Sequence, residues 1–355
     1  RRSAFFRRNQ ASFVLPDIAV VGNPIGGSLR FNSGTYCPIS DRIYFAPWRA
    51  SGILEFNYHN FEWTFIQIPT GATDARFSGL VHTGGVIIGI PLRSNQAMWF
   101  DPIQKTSGLF GNSYVGSFKW YGGALANDGM IYCTPWWNAS QVLKIDPINL
   151  TSELVGPVIS GNQRLSGSCL FNGTKIFMAN RSNPNPVVYN TDTQTLDYID
   201  DLTVATTNKF WSAQTLDNQD VFMFKSNWSQ HLKVNQSDYS VLYIGDPMSG
   251  GNKNYGGGLA PNGKLYTTPS SLNFVEIIDP ISGTISFEPT PITGNEKYLG
   301  GPVLAPDGAF YYPPFQASQI LRVTNIGSPR PSMFEFPTSM TDFHLTDWNI
   351  YQNRY

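Results

Sequence analysis

Seven cationic side chains recur along this chain of 355 residues at a nearly constant interval: Arg30, Arg76, Lys119, Arg164, Lys209, Lys253 and Lys297. If folding brings them to one place, they form a ring of positive potential able to hold carboxylate, phosphate or sulfate groups through charge-assisted hydrogen bonds. Carboxylates are sparse beside them, Asp74 and Glu296 being the exceptions. A residue that recurs with a repeat can equally serve the repeat itself. In that case each cation bonds carbonyls of the adjoining unit, or an Asp of its own.

A second set is aromatic. Trp48, Trp136, Trp137, Trp228 and Phe315 stand beside amides and hydroxyls in Trp48-Arg49-Ala50-Ser51, Trp136-Trp137-Asn138-Ala139-Ser140, Asn227-Trp228-Ser229 and Phe315-Gln316-Ala317-Ser318. Exposed, such side chains suit sugar stacking or a protein interface; at strand ends they also serve to cover gaps between repeats.

Catalytic chemistry has little to rest on. The four histidines, His59, His82, His231 and His344, fall in different elements, and none has a partner at metal-ligand spacing. No Gly-x-Ser-x-Gly elbow occurs, and the glycine-rich Gly22–Gly27 precedes strands rather than a helix, so it is no phosphate loop. No catalytic residue, metal site or cofactor is assigned. Cys37, Cys133 and Cys169 are too few and too scattered for a disulfide scaffold or a metal site, and buried thiols are expected, a Cys133–Cys169 bridge being the alternative. Asn-x-Ser/Thr sequons at Asn138, Asn149, Asn172, Asn180, Asn227 and Asn235 are candidate glycosylation sites in loops or at strand ends.

The elements that must position these residues come from an internal repeat. GGALANDGMIYCTP (122–135), GGGLAPNGKLYTTP (256–269) and GPVLAPDGAFYYPP (301–314) are versions of one phrase, a small-residue strand, an Asn/Asp-Gly turn and a second strand rich in aromatic and β-branched residues. The residue closing the second strand recurs at Pro47, Pro91, Pro135, Asn180, Lys225, Pro269 and Pro314, in steps of 44 or 45. Ten or eleven residues later stands a turn former, at Asn57, Asp101, Asp146, Asn190, Asn235, Asp279 and Thr324. Each unit thus holds four short strands, a to d. Seven such units with no helical periodicity predict an all-β chain, a seven-bladed β-propeller of four-stranded antiparallel blades. Strand a opens on small residues in every copy, as expected where seven strands converge on an axis. The d–a and b–c loops, which carry both candidate sets, share one face.

The Ala-Pro-Asn/Asp-Gly turn, followed by a third strand ending in Ile-Asp-Pro, resembles propellers of the YVTN and NHL type over about residues 30–338. That resemblance implies fold and not activity. Copies four and five depart most, with Phe171-Asn172-Gly173-Thr174 and Leu216-Asp217-Asn218-Gln219-Asp220 at the turn. Either Ile18–Val21 or Met333–Phe336 can complete the seventh blade. The expected organisation is an N-terminal basic and aromatic arm over 1–12, the propeller over 13–340 and a C-terminal tail over 341–355.

Charged residues make up 14% of the chain, against roughly 25% in ordinary soluble domains, and the net charge is −1. Nothing global draws it to nucleic acid, for which only the arm Arg1-Arg2-Ser3-Ala4-Phe5-Phe6-Arg7-Arg8 is a candidate. Apolar runs such as Gly85–Pro91 are strand-sized, so no membrane span is expected. The start at Arg1-Arg2, without a signal-peptide pattern, reads as a processed product or a fragment. The functional expectation is a non-enzymatic recognition or structural propeller, extracellular or on a virion surface. Its d–a/b–c face would take a glycan, an anionic ligand or a protein partner. The alternatives are an assembly subunit with that face buried against neighbouring subunits, and a channel-mouth hydrolase or lyase acting on an anionic substrate.

Overall fold

The computed structural model describes residues 15–26, 30–69, 76–159, 165–171, 173–199 and 209–329, and among them every regular element is a strand. Strand β1 (Asp17–Val21) comes first. Blade 1 holds β2–β5 (Phe31–Cys37, Arg42–Pro47, Gly52–Asn57, Glu62–Gln67), and blade 2 holds β6–β9 (Phe77–His82, Ile87–Pro91, Ala97–Phe100, Ser107–Phe110). Blade 3 is β10–β13 (Trp120–Leu125, Ile131–Pro135, Val142–Asp146, Thr151–Val155), and blade 4 is β14–β17 (Leu165–Phe171, Lys175–Asn180, Val187–Asn190, Leu196–Tyr198). Blade 5 is β18–β21 (Phe210–Thr215, Val221–Lys225, His231–Val234, Val241–Ile244), and blade 6 is β22–β25 (Asn254–Leu259, Leu265–Pro269, Phe274–Ile278, Ile285–Pro289). Blade 7 takes β26–β28 (Val303–Leu304, Phe310–Tyr312, Ile320–Thr324) and closes on β1, which pairs antiparallel with β28 from Asp17↔Thr324 to Val21↔Ile320. The expected seven blades of four antiparallel strands are therefore present. Of the two candidates for closure the N-terminal strand takes the place; Met333–Phe336 lies outside the described residues, as do both terminal arms.

The hydrophobic core is divided. Each of seven buried clusters joins side chains of two adjacent blades: Phe45 and Leu54 of blade 1 with Tyr311 of blade 7, for example, and Phe224 of blade 5 with Leu265 of blade 6. Burying both faces of a blade in this way explains strands such as Val221–Lys225, buried at every residue. An eighth cluster lies on the axis and is described below.

Strand a carries a register shift at its small residues in blades 1 to 6, for example between Trp120 and Gly123 and between Ser166 and Ser168. Close approach between blades is the physical reason. Gly167, at φ +54°, would place a Cβ 2.6 Å from Ser212 Cα, and Gly300, at φ +80°, one 2.5 Å from Ser33 N. At the c–d corners the expected Asx turns form: the Asp101 carboxylate accepts from the N–H groups of Ile103 (2.8 Å) and Gln104 (2.9 Å), and Asp146 and Asp279 do likewise.

Candidate functional site

The recurrent cations sit where d–a loops enter the axial strands, and their backbones stitch the blades together. Lys119 donates its N–H to Leu92 O of blade 2 (3.0 Å) and accepts from Trp136 N of its own blade (2.7 Å). Lys253 and Lys297 repeat the pattern in blades 6 and 7, between Ser226 and Ser270 and between Ser270 and Phe315.

The side chains of the four lysines turn inward, each at most 2% exposed. Lys119 Nζ donates to Gly116 O (2.7 Å), and Lys209 Nζ to Asn183 O (3.0 Å) and Pro184 O (3.3 Å). Lys253 Nζ reaches Ser226 O (3.2 Å), Trp228 O (3.1 Å) and Gly250 O. Lys297 Nζ satisfies Ser270 O (2.9 Å), Leu272 O (2.8 Å), Gly294 O (2.9 Å) and Asn273 Oδ1 (3.3 Å). The geometry corrects the idea of a ring of ligand-facing lysines and supports the structural use of the same residues. Loop carbonyls shut away from water need donors, and a lysine can serve several at once. Arg76 is also buried, Arg30 lies 5.0 Å from the Phe315 ring centre, and Arg164 falls outside the described residues.

Burial lowers the Lys119 pKa to about 8, below the unfolded value of about 10.4. Between those two values the unfolded chain holds a proton that the folded one has released, so stability from this group rises with pH. The expected outcome is that wild type gains in melting temperature relative to Lys119→Met between pH 7.5 and 10; a constant difference would contradict it.

What gathers at the mouth of the axis is aromatic. Trp48, Trp136 and Phe315 meet Leu92, Tyr121, Trp211, Tyr255 and Leu299 in one cluster. Ring centres lie 5.0 Å apart for Tyr121 and Trp136, 5.3 Å for Tyr121 and Trp211, 4.8 Å for Trp211 and Tyr255, and 6.0 Å for Trp48 and Phe315. Arg181 of blade 4 completes the circle, its guanidinium carbon 3.8 Å from the Trp211 ring centre and 5.0 Å from that of Trp136. Every blade contributes to this ring, which only residues around the axis can do. Trp136, Trp211 and Tyr255 are buried, Trp48 is half-buried and Trp137 is 45% exposed, its ring centre 6.5 Å from that of Trp136. Trp228 does not join; it packs on the core between blades 4 and 5.

Sequence reasoning found Trp48, Trp136, Trp137 and Phe315 but missed Tyr121, Trp211, Tyr255 and Arg181. The signal was available in the register. Tyr121, Trp211 and Tyr255 each follow a recurrent cation by two positions, and Arg181 follows the strand-b marker Asn180. Glu296 accepts from Tyr255 OH (3.2 Å) and Gln316 Nε2 (2.6 Å), and Asn32 Nδ2 donates to Ser78 O (2.7 Å) and Tyr121 OH (3.3 Å). Burial raises the Tyr121 phenol, and burial with the Glu296 charge raises that of Tyr255, so neither is ionised near neutral pH.

The remaining candidates are scattered. All three cysteines are free and buried, and burial raises Cys133 and Cys169 well above an ordinary thiol. His82 is buried in the core, which lowers it to about 3. Among the described residues no three of His, Cys, Asp and Glu are grouped as metal ligands. Of the sequons, Asn138 and Asn149 are exposed, Asn227 and Asn235 half-buried, and Asn172 outside the described residues. Asn180 is a correction: it is fully buried, its amide nitrogen donating to Asn183 O (3.3 Å) and Pro184 O (3.0 Å), so the folded chain offers no room for a glycan there.

No family model and no curated protein matches the chain. Solved structures do. A catalytically inactive virginiamycin B lyase from Staphylococcus aureus, crystallised with quinupristin, superposes with a TM-score of 0.73 at 11% identity, over 88% of this chain and 100% of that one. A streptogramin B lyase gives 0.72 at 14% identity, over 87% and 97%. The extracellular domain of a putative one-component system from B. thetaiotaomicron gives 0.65 at 12%, over 88% of this chain and 44% of that one. The chain is a seven-bladed propeller. At such identity the likeness extends to the fold alone, a fold shared by a lyase and the extracellular domain of a putative one-component system.

Proposed function

We propose that this propeller is a non-enzymatic recognition module of the cell exterior or a virion surface, taking a glycan at its aromatic axial mouth. The observation that carries this reading is where the repeat varies. Lysine or arginine before strand a, small residues at its start and proline at the end of strand b recur from blade to blade. The positions forming the mouth instead hold Trp, Tyr, Phe, Leu, Arg, Asn or Ser, one choice per blade. Positions freed from the scaffold and filled with aromatics are what recognition requires.

A neutral ligand suits the charges present, because the lysines spend theirs on backbone carbonyls and the net charge is −1. Sugar rings stack on indole faces such as those of Trp137 and Trp48, while Asn138 adjoins Trp137 with its amide. The Trp136 and Trp211 indole N–H groups are buried with no hydrogen-bond partner among the described residues, so a hydroxyl entering the mouth would meet two donors. The extracellular domain among the similar structures is consistent with such a place of work.

A glycan array including sulfated and sialylated members, read at low and high salt, is the test. Binding that is insensitive to salt and falls about tenfold in Trp137→Ala, the loss of one stacking contact, is the expected outcome. A blank array with the protein recovered in a stable assembly would favour the subunit reading. Binding that vanishes with salt would return the site to the cations.

A further inference from the structure

The interface between blades 5 and 6 breaks the repeat at four positions at once. Glu276 stands three residues before the c–d turn, where the other copies have Leu54, Met98, Leu143, Val187, Leu232 and Leu321. His231 occupies the preceding position of the repeat, apolar in the other six, and Asn254 follows its recurrent cation where the others have aromatics or leucine. Lys225 replaces the proline that ends strand b in five copies. All four are buried, none more than 1% exposed, and the nearby core is formed by Phe222, Phe224, Leu259, Leu265 and Ile278.

They converge on one carboxylate. Lys225 Nζ donates to Glu276 Oε1 (2.7 Å), and Asn254 Nδ2 to Glu276 Oε2 (2.5 Å). His231 Nδ1 accepts from the Lys225 N–H (3.2 Å), so its proton is on Nε2, which donates to Glu276 Oε2 (3.1 Å). The Asn254 side-chain oxygen is buried with no hydrogen-bond partner among the described residues. A buried ion pair is no better for stability than the apolar residues the other blades use there, so the four coordinated changes call for another explanation.

We propose that this cluster forms an intramolecular amide bond between Lys225 Nζ and Asn254 Cγ, tying blade 5 to blade 6. A lysine amine becomes a nucleophile when desolvated and relieved of its proton, and a carboxylate touching both amine and carboxamide brings the reactants together. Burial works against the Glu276 carboxylate, but His231 and Lys225 beside it outweigh burial and hold it ionised, able to take a proton. In the reaction Glu276 takes one proton from Lys225, and the two charges of the pair are lost together in that step.

The freed amine adds to Asn254 Cγ and gives up its second proton, the departing nitrogen takes that proton and the one held by Glu276, the Cγ–Nδ2 bond breaks and the nitrogen leaves as an ammonium ion. The balance is one lysine ammonium and one carboxamide giving one secondary amide and one ammonium ion. Glu276 ends as it began, and no oxidant or reductant enters.

The full chain's intact mass under denaturing conditions decides the matter. The expected value lies one ammonia, about 17 Da, below the sequence mass, with trypsin failing to cut after Lys225 and a branched peptide joining it to Asn254. An unshifted mass with linear peptides covering both residues overturns the proposal. A loss of one water, about 18 Da, overturns it too, because it would place the bond on Glu276. Asn254→Ala and Glu276→Gln are each expected to restore the full sequence mass, and a persisting loss in either refutes that residue's part. If a variant does not fold, the wild-type mass and digest still give the answer.

Discussion

A chain lacking residues 1–21 is expected to lose roughly 5 kcal/mol of stability, the sum of three partly buried aliphatic side chains and one ladder of backbone hydrogen bonds. Strand β1 supplies the outer strand of blade 7, pairing over five residues with β28. Ile18 and Val20 pack on the core between blades 6 and 7, and Val21 on that between blades 7 and 1. The whole stability of a domain is on the order of 5–15 kcal/mol, so the truncated chain should unfold at much lower urea or not fold cooperatively. A peptide spanning residues 15–24, added in trans, should restore part of the loss. An unchanged urea midpoint would mean that β1 does not close the ring, and would reopen the claim of Met333–Phe336.

Replacement of Lys297 by alanine should cost roughly 4 kcal/mol, because it strands several buried acceptors together. Leu272 O, Gly294 O and Asn273 Oδ1 accept from this one ammonium, which is 2% exposed, and Ser270 O accepts from it in addition to the Lys297 backbone N–H. The measurement separates two uses of the same residue. A cation that only faces a ligand can be removed with little effect on folding. If Lys297→Ala keeps its urea midpoint but loses affinity for sulfated glycans, the ligand ring of the sequence reading is restored and the carbonyl-bonding role falls.

The propeller was legible because its physics is local and repeated. Asn/Asp-Gly turns, Asp-Pro corners and strands rich in β-branched and aromatic residues each act within a few positions of themselves, and seven copies let them be read against one another. Even the departing turn of copy five keeps the backbone of its relatives: Gln219, at φ +67°, stands where Gly129, Gly263 and Gly308 have φ near +80°. Copy number, strand order and the need for small residues on the axis followed from the chain alone.

The site was legible in part. Spacing showed that seven cations recur together and which face they share, but not which way each side chain turns. That choice depends on carbonyls of the adjoining blade, brought close only when the ring closes. Trp136, Trp211 and Arg181 meet across blades for the same reason, and Lys225, Asn254 and Glu276 stand in three separate strands with nothing to relate them until blades 5 and 6 pack. By itself the sequence determined the blade, since a blade is held by contacts near in the chain. Tertiary structure alone decided what lies between blades and on the axis, because those contacts join residues that no local rule relates.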